Sequence, residues 1–83
     1  MEKTIYTREY RVVLRLLREA RQASGLTQVD LAKKLAITQS LLSKMERGDR
    51  RIDVVELRAL CTAIGLDLVD FVRRLERDLR TRH

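Results

Sequence analysis

The chain has 83 residues, 18 Lys/Arg against 12 Asp/Glu for a formal charge of +6, no proline, three glycines and one cysteine. A lone cysteine excludes a disulfide framework and a cysteine-based metal site. No apolar run approaches the ~18 residues of a membrane span, and the N-terminus lacks a signal-peptide core. What remains is one small domain over residues 1–83, expected in the cytoplasm, with a basic balance that suits a polyanion: nucleic acid first, an anionic membrane second.

Residues 1–7 read as an arm pinned by Ile5 and Tyr6. Beyond it Leu, Ala, Arg and Glu dominate and favour helix. The spacing predicts five helices, over 8–23, 28–35, 39–46, 54–64 and 68–81, and no strand-period run competes. Gly25, Gly48 and Gly65 sit where helices should stop. The pairs Thr27/Asp30, Asp53/Glu56 and Asp67/Asp70 have the spacing of capping boxes, and Thr38 caps the third helix by accepting from the amide of Ser40 or Leu41. In the first helix Arg8, Arg11, Arg15 and Arg18 form one polar stripe, read as a solvated basic face, with direct DNA contact as the alternative. Arg21 departs from it and projects beside Tyr10, Leu14 and Leu17.

Helices 28–35 and 39–46, joined by Ala36, Ile37 and Thr38, describe a helix-turn-helix, with the small Ala32 allowing a close crossing. On a wheel at ~100° per residue, Leu42 and Met45 share one side of the second of these helices, with Leu41 beside them. Gln39, Ser40, Ser43, Lys44 and Arg47 hold the opposite arc. A solvated face is more often Glu- and Lys-rich. This arc carries an amide, two hydroxyls and two cations, the groups that pair with adenine, guanine and mixed base edges in a DNA major groove. It begins at the helix N-terminus, the end such helices point at DNA.

Arg47, Arg50 and Arg51 surround Gly48, either as a solvated loop or beside a phosphate backbone. Gln28 opens the preceding helix, where its side chain and the first amides suit a phosphate. Glu46 lies at the border of the apolar side next to Leu42. An unpaired ion there is costly, so Arg21 and Glu46 are expected to pair.

The segment GLTQVDLAKKLAITQSLLSKMERG resembles the phage-repressor and Cro-like (XRE-type) helix-turn-helix family. Thr27-Gln28, Leu31-Ala32, Ile37, Thr38-Gln39-Ser40, Ser43 and Glu46-Arg47-Gly48 match its pattern without a gap, and the likeness runs over about residues 14–71. The resemblance implies an all-α, five-helix, phage-repressor-like DNA-binding domain with its helix-turn-helix at helices 2 and 3. It implies that Gln39, Ser40 and Lys44 face base edges. Gln28 would bond to a phosphate and brace Gln39, while Ser43 and Arg47 lie on the backbone side. Thr38 matches a position that is mostly a cap, its methyl within reach of a thymine. The likeness points to the same Arg21–Glu46 pair, with Arg21 also near a phosphate. Lys44 departs from phage repressors that carry Gln there, so their operator preferences do not transfer.

Leu68, Val72, Leu75 and Leu79 recur at helical spacing on the last helix, widened by Phe71. Phe71 and Leu68 close a core over Leu57, Leu60 and Ile64. Leu75 and Leu79 extend beyond what a core of this size should need, which marks an interaction surface, and a homodimer is its simplest use. Recognition helices would then lie about one DNA turn apart, ~34 Å. The alternative is a helix that only caps the monomer, with Arg73, Arg74, Arg77, Arg80 and Arg82 keeping it soluble. The expected function is a dimeric, sequence-specific, nucleoid-associated regulator of transcription on an inverted-repeat operator. Small size and residues 50–56 look like restriction–modification controller proteins or small mobile-element repressors. The competing reading is an antitoxin that binds a toxin and its own operator. An enzyme is not expected: there is no His/Asp/Ser or Cys/His constellation, His83 ends the chain, and Cys61 reads as a small buried hydrophobe. No cofactor, metal or small-molecule ligand is implied.

Overall fold

Each helix begins on a side chain that satisfies its first free amides. In the computed structural model, which describes residues 7–81, the order is α1 (Arg8–Ala23), α2 (Gln28–Leu35), α3 (Gln39–Arg47), α4 (Val54–Ile64) and α5 (Leu68–Thr81). The bounds follow the sequence pattern, with α3 one residue longer. Ile5, Tyr6, Arg82 and His83 lie outside the described residues. Thr7 accepts from the Tyr10 amide and Thr38 from that of Leu41. Thr27/Asp30 and Asp53/Glu56 close reciprocal capping boxes. The third pair departs from that pattern. Asp67 accepts from the Val69 and Asp70 amides, but the Asp70 carboxylate lies 3.7 Å from Arg73 instead of turning back to residue 67.

The turn between α2 and α3 is closed by Ala36, which takes the left-handed conformation at φ 58°. For an L residue with a Cβ this costs about 1–2 kcal/mol. In return the Ile37 amide reaches the Ala32 carbonyl at 3.0 Å and Ile37 packs onto the core. Those are the bonds and the apolar contact of a Schellman closure. At the end of α3, Gly48 is favoured by its backbone conformation and is closely approached. Its φ is 85°, and a Cβ there would stand 3.0 Å from the Leu14 side chain.

Val12, Leu16 and Leu17 of α1, Leu31 and Ala32 of α2, Leu42 and Met45 of α3, Leu60 and Cys61 of α4 and Phe71 of α5 form the core. Burial pushes the Cys61 thiol above its ordinary pKa, and the nearby Asp67 charge adds to the effect. The thiol therefore stays protonated, as a packing group. On the last helix Phe71 and Leu68 meet the core as expected. Leu68, Leu75 and Leu79 are partly buried against the core, and of the four stripe residues Val72 alone is largely exposed. The reason is α1, whose 16 residues span ~24 Å and give α5 a second helix to lie along. Arg15 fastens the two, donating to Asp78 at 2.6 Å.

Candidate nucleic-acid interface

Leu42 and Met45 anchor α3 in the core, and this orientation leaves Gln39, Ser40, Lys44 and Arg47 exposed. Ser43 is half-buried because Arg47 folds back over it, donating to its hydroxyl at 2.8 Å. The same guanidinium donates to Asp49 at 3.0 Å through Nε and lies 2.9 Å from it through Nη2. Thr38 is committed to its cap.

Behind the exposed arc is a chain of hydrogen bonds that begins in the core. Arg21 and Glu46, 7% and 8% exposed, meet in a two-pronged pair: Nε donates to Oε2 at 2.7 Å and Nη2 to Oε1 at 3.1 Å. A third guanidinium donor reaches the Leu26 carbonyl at 3.0 Å. Glu46 Oε1 also accepts from the Gln28 amide at 3.0 Å, and Gln28 Oε1 receives the Gln39 amide at 3.5 Å, the long limit of such a bond. The first residues of α2 and α3 are thus referenced to a fixed charge between α1 and α3. The Gln28 side chain is occupied by this chain, so what α2 presents outward at its start is chiefly backbone amide. Asp30, in the first turn, has its pKa lowered by the Thr27 backbone bond, then by the Thr27 hydroxyl.

The loop after α3 separates its two arginines. Arg50 turns toward α4, donating to both Glu56 oxygens at 3.1 and 2.6 Å and to the Arg51 carbonyl. Its charge is therefore largely offset, contrary to the equal standing that sequence spacing gave it beside Arg51. Arg51 is exposed and has no ion-pair partner among the described residues. The Ile52 amide donates to the Tyr10 hydroxyl at 2.9 Å, which ties the loop to α1. Sequence reasoning placed Tyr10 on the apolar side but gave no sign of this bond, which spans 42 positions. Among the described residues no group of His, Cys, Asp and Glu could hold a metal, and no helix is long and apolar enough to cross a membrane.

Residues 17–71, the stretch that contains the helix-turn-helix and the hydrogen-bonded chain behind it, match the Helix-turn-helix family HTH_3. The chain belongs to this family. An HTH-type transcriptional regulator of Sinorhizobium fredii, y4dJ, itself uncharacterized, is 36% identical over 52 residues, covering 63% of this chain and 68% of its own. A solved XRE-family like protein from Pseudomonas syringae pv. tomato shares 43% identity and superposes with a TM-score of 0.84 over 90% of this chain and 92% of that one. ClgR, the clp gene regulator of Corynebacterium glutamicum, is 25% identical with a TM-score of 0.72, over 83% of this chain and 73% of its own. A point mutant of the restriction–modification controller protein C.Esp1396I shares the fold, at 22% identity and a TM-score of 0.83 over 93% of this chain and 100% of that one. As an XRE-type helix-turn-helix protein, the chain is a DNA-binding transcriptional regulator by family.

Proposed function

We propose that this helix-turn-helix protein acts as a homodimer that reads an inverted-repeat operator with α3. The observation that carries the reading is the hydrogen-bonded chain from Arg21 through Glu46 and Gln28 to Gln39, which holds an exposed amide in place from inside the core. A side chain steadied in this way, even by one long bond, has less freedom to lose when it pairs with a base. Gln39, Ser40 and Lys44 address base edges. The first amides of α2 at Gln28, together with Thr38, Ser43, Arg47 and Arg51, address the backbone, and Arg50 serves it indirectly by fixing the loop that carries Arg51. The fold shared with a controller protein and the basic charge support a regulator of that type.

The test is selection of bound duplexes from a random DNA pool at ~0.15 M salt, with Gln39→Ala in parallel. An enriched inverted repeat, with half-sites about one helical turn apart, is expected from the wild type. The mutant should lose ~1–3 kcal/mol at one position of each half-site and relax its preference there. A folded wild type that enriches nothing would remove the reading.

A further inference from the structure

Arg11, Leu14 and Arg18 fall at i, i+3 and i+7 of α1 and share a face. With Glu46 and Arg47 of α3 and the following Asp49 they line an open cleft of about 400 Å³. The charges in it are unequally matched. Glu46 is answered by the buried Arg21, and Arg47 by Asp49. Arg18 is exposed and has no ion-pair partner among the described residues. The cleft therefore combines an unmatched guanidinium with a second one held by a surface carboxylate and the Ser43 hydroxyl. Arg47 and Asp49 are 57% and 54% exposed, so their pair lies in water and exchanges easily. The C-terminal end of a helix repels anions through its dipole. Arginines converging there from two helices reverse that sign. Two planar forks suit the oxygens of a phosphate, and the cleft adjoins the end of the helix that carries the base-facing arc.

We propose that this cleft seats a DNA backbone phosphate between Arg18 and Arg47, and that Asp49 is an internal stand-in for that phosphate. The inference rests on the DNA-reading function above and adds two things to it: α1 joins the interface, and Asp49 competes with DNA of any sequence. Arg47 must leave Asp49 before it can serve the backbone. Asp49 thereby lowers affinity for random and preferred sites alike, and Arg18 supplies the attraction that begins the exchange. At Arg18 this takes up the alternative reading of the α1 stripe, direct DNA contact, while Arg15 leaves the solvated face for its pair with Asp78.

The experiment is a salt titration of binding to a fluorescein-labelled random-sequence duplex, followed by anisotropy. A random duplex suffices because phosphate contacts do not depend on sequence. Arg18→Gln should reduce the slope of log K against log salt by about 0.9, the value of one phosphate contact. Arg18→Lys should restore most of it, and Arg73→Gln on α5 should leave it unchanged. Asp49→Asn should tighten binding by about two- to fivefold, the range of a released surface ion pair. An unchanged slope in Arg18→Gln would overturn the phosphate seat, as would an equal loss in Arg73→Gln. Unchanged or weaker binding by Asp49→Asn would overturn the stand-in. A wild type without salt-dependent binding would overturn the DNA-reading function itself, and this inference with it.

Discussion

Arg21 is a cation among the leucines of α1, and it stays there because Glu46 and the Leu26 carbonyl take up its donors. Removing one member of a buried pair leaves the other charged and unpartnered, at about 3–5 kcal/mol. In a domain of this size each kcal/mol moves the melting temperature by ~4–8 °C. Glu46→Ala should therefore lower the melting temperature by at least ~10 °C. The double variant Arg21→Met/Glu46→Leu should recover much of that loss, since matched apolar replacements leave no charge behind. Thermal denaturation followed by circular dichroism checks both, and an unchanged melting temperature in Glu46→Ala would refute the structural role. This contact was legible in the sequence because each charge sits on an apolar margin and a buried ion demands a partner. The Gln28–Glu46 and Tyr10–Ile52 bonds were not. They depend on which rotamer of a polar side chain a distant element happens to meet, and no residue pattern encodes that.

At the scale of elements, starts and stops were the most legible part of the chain, because caps are short-range chemistry. Ser, Thr or Asp accepts amides a few residues on, and glycine takes positive φ. Ala36 broke the rule of reading stops from glycine: the Schellman bonds and the burial of Ile37 hold an alanine where glycine is usual. The loop into α4 shows how one carboxylate joins two elements. Glu56 accepts from both Arg50 donors and from the Asp53 amide. Its pKa is lowered from the ordinary 4.5, first by the Arg50 side-chain bond and then by the Asp53 backbone bond. A carboxylate with a lowered folded pKa contributes stability that is complete above the unfolded value and fades as pH falls through the folded one. Melting temperatures of wild type and Glu56→Gln should thus differ most near neutrality and converge as pH falls below 4.5. A gap that stays constant across that window would show that the Arg50–Glu56 charge pair adds nothing to folding.

For the whole molecule, the sequence pattern located the helices but not the partner of the last one. The apolar stripes of α1 and α5 each specify a buried face, and nothing in either says that they meet. Once they do, Leu75 and Leu79 belong to the monomer. The most exposed apolar side chains lie beside the expected stripe and overlap it at Val72. Besides Val29 on α2, they are Val54 and Val55 at the start of α4, 67% and 73% exposed, and Val69 and Val72 on α5, 55% and 46% exposed. Four exposed valines on two helices that pack together are a candidate surface for the second copy of the proposed homodimer. A homodimer using them needs about 800 Å² from each subunit, which two short helices can supply. Val55→Glu/Val72→Glu should therefore reduce the mass measured by analytical ultracentrifugation from dimer to monomer. It should also abolish the rise of melting temperature with protein concentration that a dimer shows, while leaving the helical circular dichroism spectrum intact. Leu75→Ala should do the reverse, lowering the melting temperature by removing a side chain packed on the core, with the dimer preserved wherever the protein stays folded. If instead Leu75→Ala dissociated the dimer and the valine pair did not, the second copy would be docking on the α5 leucine stripe, and α5 would have to leave α1 in the assembly.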